Sequence, residues 1–176
     1  ASASPPKDID ITSESRFFLN EHFYNPDVTW DAMGVVESSG WSGGALEHFG
    51  AGWPDGKGFQ TAHTVNILAD DQGTMTIRVD AHGFDFYPQP DPDNEGEYIG
   101  IDACLDLLPD GLTKPYDEPY DECYHGSGNW RILSGTGAYA GLHGQGRVTI
   151  IGFADWSADI MDSVEVYHGM AHFDPN

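Results

Sequence analysis

At 176 residues the chain is long enough for one domain with a core of its own, without a structural metal or disulfide staples. Glycine is abundant at 22 residues, aromatics make up 12%, and no helix-period pattern runs beyond about two turns, which points to an all-β fold. Seven Lys plus Arg against 29 Asp plus Glu leave a net charge of −22, which argues against nucleic-acid and membrane-surface binding and suits hydrated cations or a saline habitat.

The chain opens Ala-Ser-Ala-Ser-Pro-Pro, which reads as the start of a mature exported protein after signal-peptide removal. Residues 1–15 are polar and are expected to form an arm, lying on the domain's own edge or on a neighbouring subunit. The domain proper is expected over 16–176. Arg16 to Trp30 is too apolar for a linker and is a candidate cap for one end of the fold. Strands are expected over Val28 to Glu37, Leu46 to Ala51 and Phe59 to Leu68, with Gly40, Gly43 and Gly44 as breaks and Trp53-Pro54-Asp55-Gly56 as a turn.

After the turn Asp70-Asp71-Gln72-Gly73, apolar Met75, Ile77, Val79 and Ala81 alternate with polar residues, the clearest half-buried strand in the chain. Asp85 to Tyr87 either extends it or begins the next piece. A long acidic excursion then runs over about 88–127. Its Asp91, Asp93, Glu95 and Asp102 partly match the spacing of a calcium loop, with Gly96 at the sharp turn, so calcium is the cofactor the sequence suggests. Glu95 at the fifth position, Asp102 at the twelfth and the missing flanking helices depart from that pattern, and a solvated acidic loop is the competing reading. Pro-Tyr-Asp-Glu occurs twice in tandem from Pro115, another loop that can be either solvated or ligand-facing. Cys104 and Cys123 are either a disulfide, worth about 3 kcal/mol in the chain-entropy account, or two buried thiols; export favours the disulfide.

Trp130 to Leu133 reads as a strand, followed by Gly135-Thr136-Gly137-Ala138-Tyr139-Ala140-Gly141 and a second strand from Arg147 to Phe153. No Gly-Lys-Ser/Thr follows, so this is a structural corner rather than a phosphate cradle. Ser163 to Phe173 is the last strand, with Val164, Val166, His168 and Met170 on one face and Tyr167, Gly169, Ala171 and Phe173 on the other. The segments together make about eight antiparallel strands, a number that can close into a small calycin-like barrel.

The Gly-Thr-Gly-x-Tyr corner between two strands, with Gln60 to Ala81 before it and Tyr-His-Gly-x-x-His-Phe-Asp after it, resembles the allene oxide cyclase and dirigent barrels as found in small exported bacterial proteins. The resemblance implies a barrel that shapes an apolar pocket around a small molecule. Trp30, Trp41, His63, Trp130 and Tyr139 are the candidate ligand-binding residues, and His63, His168 and His172 are candidate acid–base groups if they face one interior. No Ser or Cys sits in a nucleophile elbow, and no catalytic residue is assigned. Three functions follow as expectations: binding of a small apolar or aromatic ligand, a non-redox cyclase or isomerase, or a structural subunit in which the arm joins a neighbour's sheet and calcium screens the carboxylates.

Overall fold

The computed structural model describes residues 5–18, 22–32, 35–49, 61–91, 93–113, 120–155, 157–158 and 160–174; the side chains of 15–18, 22–32, 35–49, 61–62, 89–90, 98 and 161 lie outside that description. The strands are β1 (Lys7–Phe18), β2 (His22–Ala32), β3 (Val35–Phe49), β4 (Thr61–Ala69), β5 (Thr74–Tyr87), the short β6 (Gln89–Pro90) and β7 (Tyr98–Ile99), β8 (Glu122–Gly135), β9 (Leu142–Asp155) and β10 (Ile160–Phe173). Among the described residues helix is confined to α1 (Asp102–Leu105) and a 3₁₀ turn at Gly137–Tyr139. The fold is all-β: β4, β5, β8, β9, β10 and β1 follow one another, in that order, in one antiparallel sheet. Among the described residues no helix is long and apolar enough to cross a membrane.

Alternation decides which face of the sheet is core. On β5 the inward residues are Met75, Ile77, Val79 and Ala81, as their spacing predicts. The pairing of β5 with β8 then shifts between His82 and Asp85, at Gly83 with φ +65°. This bulge inserts a residue and reverses the parity, so that Phe84 and Phe86 turn inward after it. A single strand therefore runs the whole length to Tyr87, and Asp85 to Tyr87 extends it.

Of the two places expected for the N-terminal residues, 7–15 lie on the domain's own sheet: they are the first part of β1, which runs on past residue 15 to Phe18, hydrogen-bonded along β10 with Ile9 opposite Gly169 and Ile11 opposite Tyr167. Ile9, Ile11 and Ser13 are buried, and two isoleucines two residues apart in a polar segment are enough to commit it to the sheet. The break expected at Gly40, Gly43 and Gly44 is absent, because β3 passes through all three. The Trp53 to Gly56 turn and most of the Pro-Tyr-Asp-Glu tandem lie outside the described residues.

The excursion leaves the sheet after Tyr87 and ends at β8, which begins at Glu122 rather than Gly128. It lies on the outer face of β8 and β9. There Ile151, Phe153, Cys104 and Cys123 form a second buried cluster, joined by Tyr87, Ile101, Leu105, Leu108 and Tyr120. The Cys104–Cys123 disulfide, with Cα atoms 6.2 Å apart, ties the excursion to the strand it covers. Ile151 and Phe153 point away from the main core by strand parity, and the excursion is what removes them from water.

Candidate functional site

Three residues of β10, Ser163, Glu165 and Tyr167, alternate onto the core face. The Tyr167 hydroxyl donates to Glu165 Oε2, and Ser163 Oγ reaches Glu165 Oε1 at 3.4 Å. Asn66 on β4 donates its Nδ2–H to the same Tyr167 oxygen at 3.0 Å. Ser13 on β1 sits directly opposite Glu165 in the register. Two side chains of β10 thus bond the Glu165 carboxyl, and Asn66 of β4 joins the group through the Tyr167 oxygen.

Apolar and aromatic groups surround this polar group. Trp130 packs edge-on to Tyr167 with ring centroids 6.2 Å apart, and its indole N–H donates to the Arg147 carbonyl at 3.0 Å. The ring lies over Gly169, where an added Cβ would come within 2.7 Å of Trp130 Cζ2. Tyr124 lies over Gly152 in the same way, an added Cβ there falling 1.8 Å from Tyr124 Cζ, and joins Phe84 and Phe86 in an aromatic group. Large rings thus occupy space that glycine leaves on neighbouring strands, one use of the high glycine content.

Burial pushes the Glu165 carboxyl above its ordinary range, with the hydrogen bonds from Tyr167 and Ser163 opposing the shift. Burial, followed by the Glu165 charge, pushes the Tyr167 and Tyr124 hydroxyls up as well. Asn66 is 2% exposed, and its Oδ1 has no hydrogen-bond partner among the described residues. A buried acceptor left open costs about 1–3 kcal/mol, so something with an N–H or O–H is called for at this point.

Of the residues predicted from sequence, Trp130 is brought to this group. Tyr139 is buried elsewhere, in the corner, where its hydroxyl donates to Asp70 Oδ2 at 2.5 Å. Thr136 N–H to Thr74 O and Ala138 N–H to Gln72 O tie the corner to the β4–β5 turn. Gly137 there has φ +59°, and a Cβ on it would meet Gln72 O at 2.1 Å. Trp30 and Trp41 fall in β2 and β3, with side chains outside the described residues.

The histidines do not share an interior. His63 alternates outward, opposite in parity to buried Asn66 and Leu68, and its Nδ1 pairs with Asp80 at 2.6 Å. His168 points to solvent and pairs with Asp10 at 2.6 Å, while His172 stacks on His143. In β10 the inward set is Tyr167, Gly169 and Ala171.

Nor are the four calcium-loop carboxylates gathered: among the described residues no three His, Cys, Asp or Glu side chains are grouped to hold a metal. Asp91 is occupied within its own turn, accepting from Asn94 Nδ2 at 2.9 Å and from the Asp93 N–H at 2.8 Å. Those hydrogen bonds, Asn94's first, hold its carboxyl below the usual range. Asp102 stands in the first turn of α1.

Sequence reasoning missed Glu165, although the signal was present. Stepping back by twos from Ala171, Gly169 and Tyr167 reaches Glu165 and Ser163 on the same face.

No protein-family model, curated protein or solved structure matches this chain.

Proposed function

We propose that the chain is an eight-stranded barrel that holds a small, largely apolar molecule in its interior, anchored by the polar group around Glu165. The observation that carries this reading is the Asn66–Tyr167 hydrogen bond at 3.0 Å. β4 and β10 are separated by three strands in the sheet order, which is about 19 Å across if the sheet were flat, so their inward side chains can touch only if the sheet curls strongly. Pairing of β2 with both β1 and β3, and of β3 with β4, supports closure of the ring. Glu165 keeps intermediate exposure on the inner face, between buried Ser163 and Tyr167, so its carboxyl is not packed on all sides.

The ligand chemistry follows from the lining. Trp130, Tyr124, Phe84 and Phe86 offer aromatic surface, while Asn66 Oδ1 accepts a hydrogen bond, so the ligand is an apolar or aromatic molecule bearing one hydroxyl or amine. The resemblance of the Gly-Thr-Gly-x-Tyr corner to allene oxide cyclase and dirigent barrels agrees with this use of an interior. A second reading, a non-redox cyclase or isomerase, is favoured by one observation: a carboxyl whose proton is retained above its ordinary range beside a tyrosine hydroxyl can donate that proton to a bound molecule. The disulfide supports export.

The test is titration with a neutral aromatic fluorophore that carries one hydroxyl, such as 2-naphthol, with native mass spectrometry of the protein from its own source. Saturable one-to-one binding that Asn66→Leu weakens about tenfold, the equivalent of one lost buried hydrogen bond, supports the reading. Near-UV circular dichroism of the variant checks that it folds. Absence of saturable binding, or binding indifferent to Asn66→Leu in a folded variant, sinks it.

A further inference from the structure

Beyond the cover of the excursion, the outer face of β5, β8 and β9 forms a depression of about 690 Å³ whose lining includes, besides Trp130 and Gly146, the polar residues Arg78, Asp80, Asn129, Arg131, Gln145 and Arg147. The register explains the grouping. Arg78 faces Arg131 across β5 and β8, Asn129 faces Arg147 and Arg131 faces Gln145 across β8 and β9. Three of the chain's seven Lys and Arg residues therefore meet on one small patch of a molecule with 29 acidic side chains.

This arrangement runs against ordinary surface electrostatics. Like charges directly opposite on paired strands destabilise a sheet, and carboxylates to neutralise them are abundant here. Yet only Asp80 enters the depression, and it is engaged with Arg78 Nε at 3.0 Å and His63 Nδ1 at 2.6 Å. Burial is the largest single effect on Asp80 and opposes ionisation, but the combined His63 and Arg78 hydrogen bonds outweigh it and hold the carboxyl below its usual range. Among the described residues Arg131 and Arg147 have no carboxylate partner. Arg147 instead donates to Asn129 Oδ1 at 3.1 Å, which leaves the Asn129 amide nitrogen as a further donor.

We infer that this depression is a binding site for a tetrahedral oxyanion, a sulfate or phosphate group, distinct from the interior site. The Arg131 and Arg147 guanidinium groups and the Asn129 amide nitrogen, beside the Arg78 side chain that Asp80 holds, offer more donors than the two oxygens of a carboxylate can accept and match an anion with at least three acceptor oxygens. At a net charge of −22 the molecule as a whole repels anions, so affinity comes from these local contacts and not from long-range attraction. The group is either a free inorganic anion or a sulfate or phosphate ester on a larger molecule; both present the same oxygens.

Titration of the ¹⁵N-labelled full chain with sodium sulfate and with sodium phosphate, at ionic strength held constant with sodium chloride, tests the site through the arginine Nε–Hε resonances. Saturable shifts of Arg78, Arg131 and Arg147 are expected. Arg131→Gln and Arg147→Gln, both at exposed positions, should each weaken binding roughly tenfold, while Lys7→Gln, which removes the same charge elsewhere, should change it less than about twofold. A glucose sulfate monoester that binds more tightly than free sulfate identifies an ester-borne group; equal or weaker binding identifies the free anion. The assignment is overturned if neither anion saturates the site, if Lys7→Gln weakens binding as much as Arg131→Gln, or if acetate binds as tightly as sulfate.

Discussion

β10 carries two carboxyl groups three residues apart, Asp162 and Glu165, each bonded by a tyrosine hydroxyl, and the two pairs live in different surroundings. On the outer face, Tyr120 of the excursion donates to Asp162 at 2.7 Å, with the Tyr120 ring tilted against Phe153 at a centroid distance of 5.1 Å and Asp162 wholly removed from water. On the inner face, Tyr167 donates to Glu165, which keeps intermediate exposure. The first pair is closed over by a segment tied down with a disulfide. The second faces the core with an open acceptor, Asn66 Oδ1, close to it. The same chemical pair is thus a structural clasp in one place and a candidate binding anchor in the other. Packing and solvent access, not residue type, make the difference.

The largest way to disturb this comparison is to remove the disulfide. The bridge spans a sequence separation of 19, so Cys104→Ala with Cys123→Ala should lower stability in urea by about 3 kcal/mol. The loss should come with hydrogen-exchange exposure confined to the excursion and to Ile151 and Phe153 beneath it. Exchange that rises uniformly over β5 and β10 would mean that the excursion is not a separate cover.

Next in size is the pair of tyrosine truncations. Tyr120→Phe removes a hydrogen bond from the fully buried Asp162 carboxyl and should cost about 2–3 kcal/mol. On an Asn66→Leu background, where no buried amide loses its acceptor, Tyr167→Phe should cost only about 1 kcal/mol, because water reaching Glu165 can replace the lost donor. Equal costs in urea unfolding would erase the distinction between clasp and anchor.

Parity explains how much of this was legible in the sequence. Met75, Ile77, Val79 and Ala81 announce their strand because every second residue is apolar against polar neighbours. The Cys104–Cys123 disulfide could be named from composition and compartment. β1 was not seen as a strand, because its inward set of Ile9, Ile11 and Ser13 grows polar toward the site. β10 left its register undecided for a related reason. Val164, opposite Ile151, is buried on the outer face while Glu165 is polar on the inner one, inverting the usual contrast. The candidate site therefore hid where the pattern is weakest. The outer-face arginines belong to pairs that only the register between strands brings together, and no single stretch of sequence shows them side by side.

The smallest expected effect tests Glu165 itself. Its carboxyl is raised by burial from an ordinary value of 4.5. Below that value the group is protonated in both folded and unfolded chains and contributes nothing. As pH rises above it, the unfolded chain loses the proton first while the folded chain keeps it, so the folded state binds more protons and stability falls with pH until the folded value is passed. Repulsion among the other acidic residues also weakens the fold as pH rises, so the informative quantity is the difference between Glu165→Gln and the parent chain. Glutamine retains an oxygen that can accept from Tyr167 and carries no titratable proton. From pH 4.5 upward the difference should therefore move steadily in favour of the variant and then level off. Urea unfolding of both proteins across that range measures it, and a difference that stays flat would mean that the carboxyl is as well solvated inside the sheet as outside it.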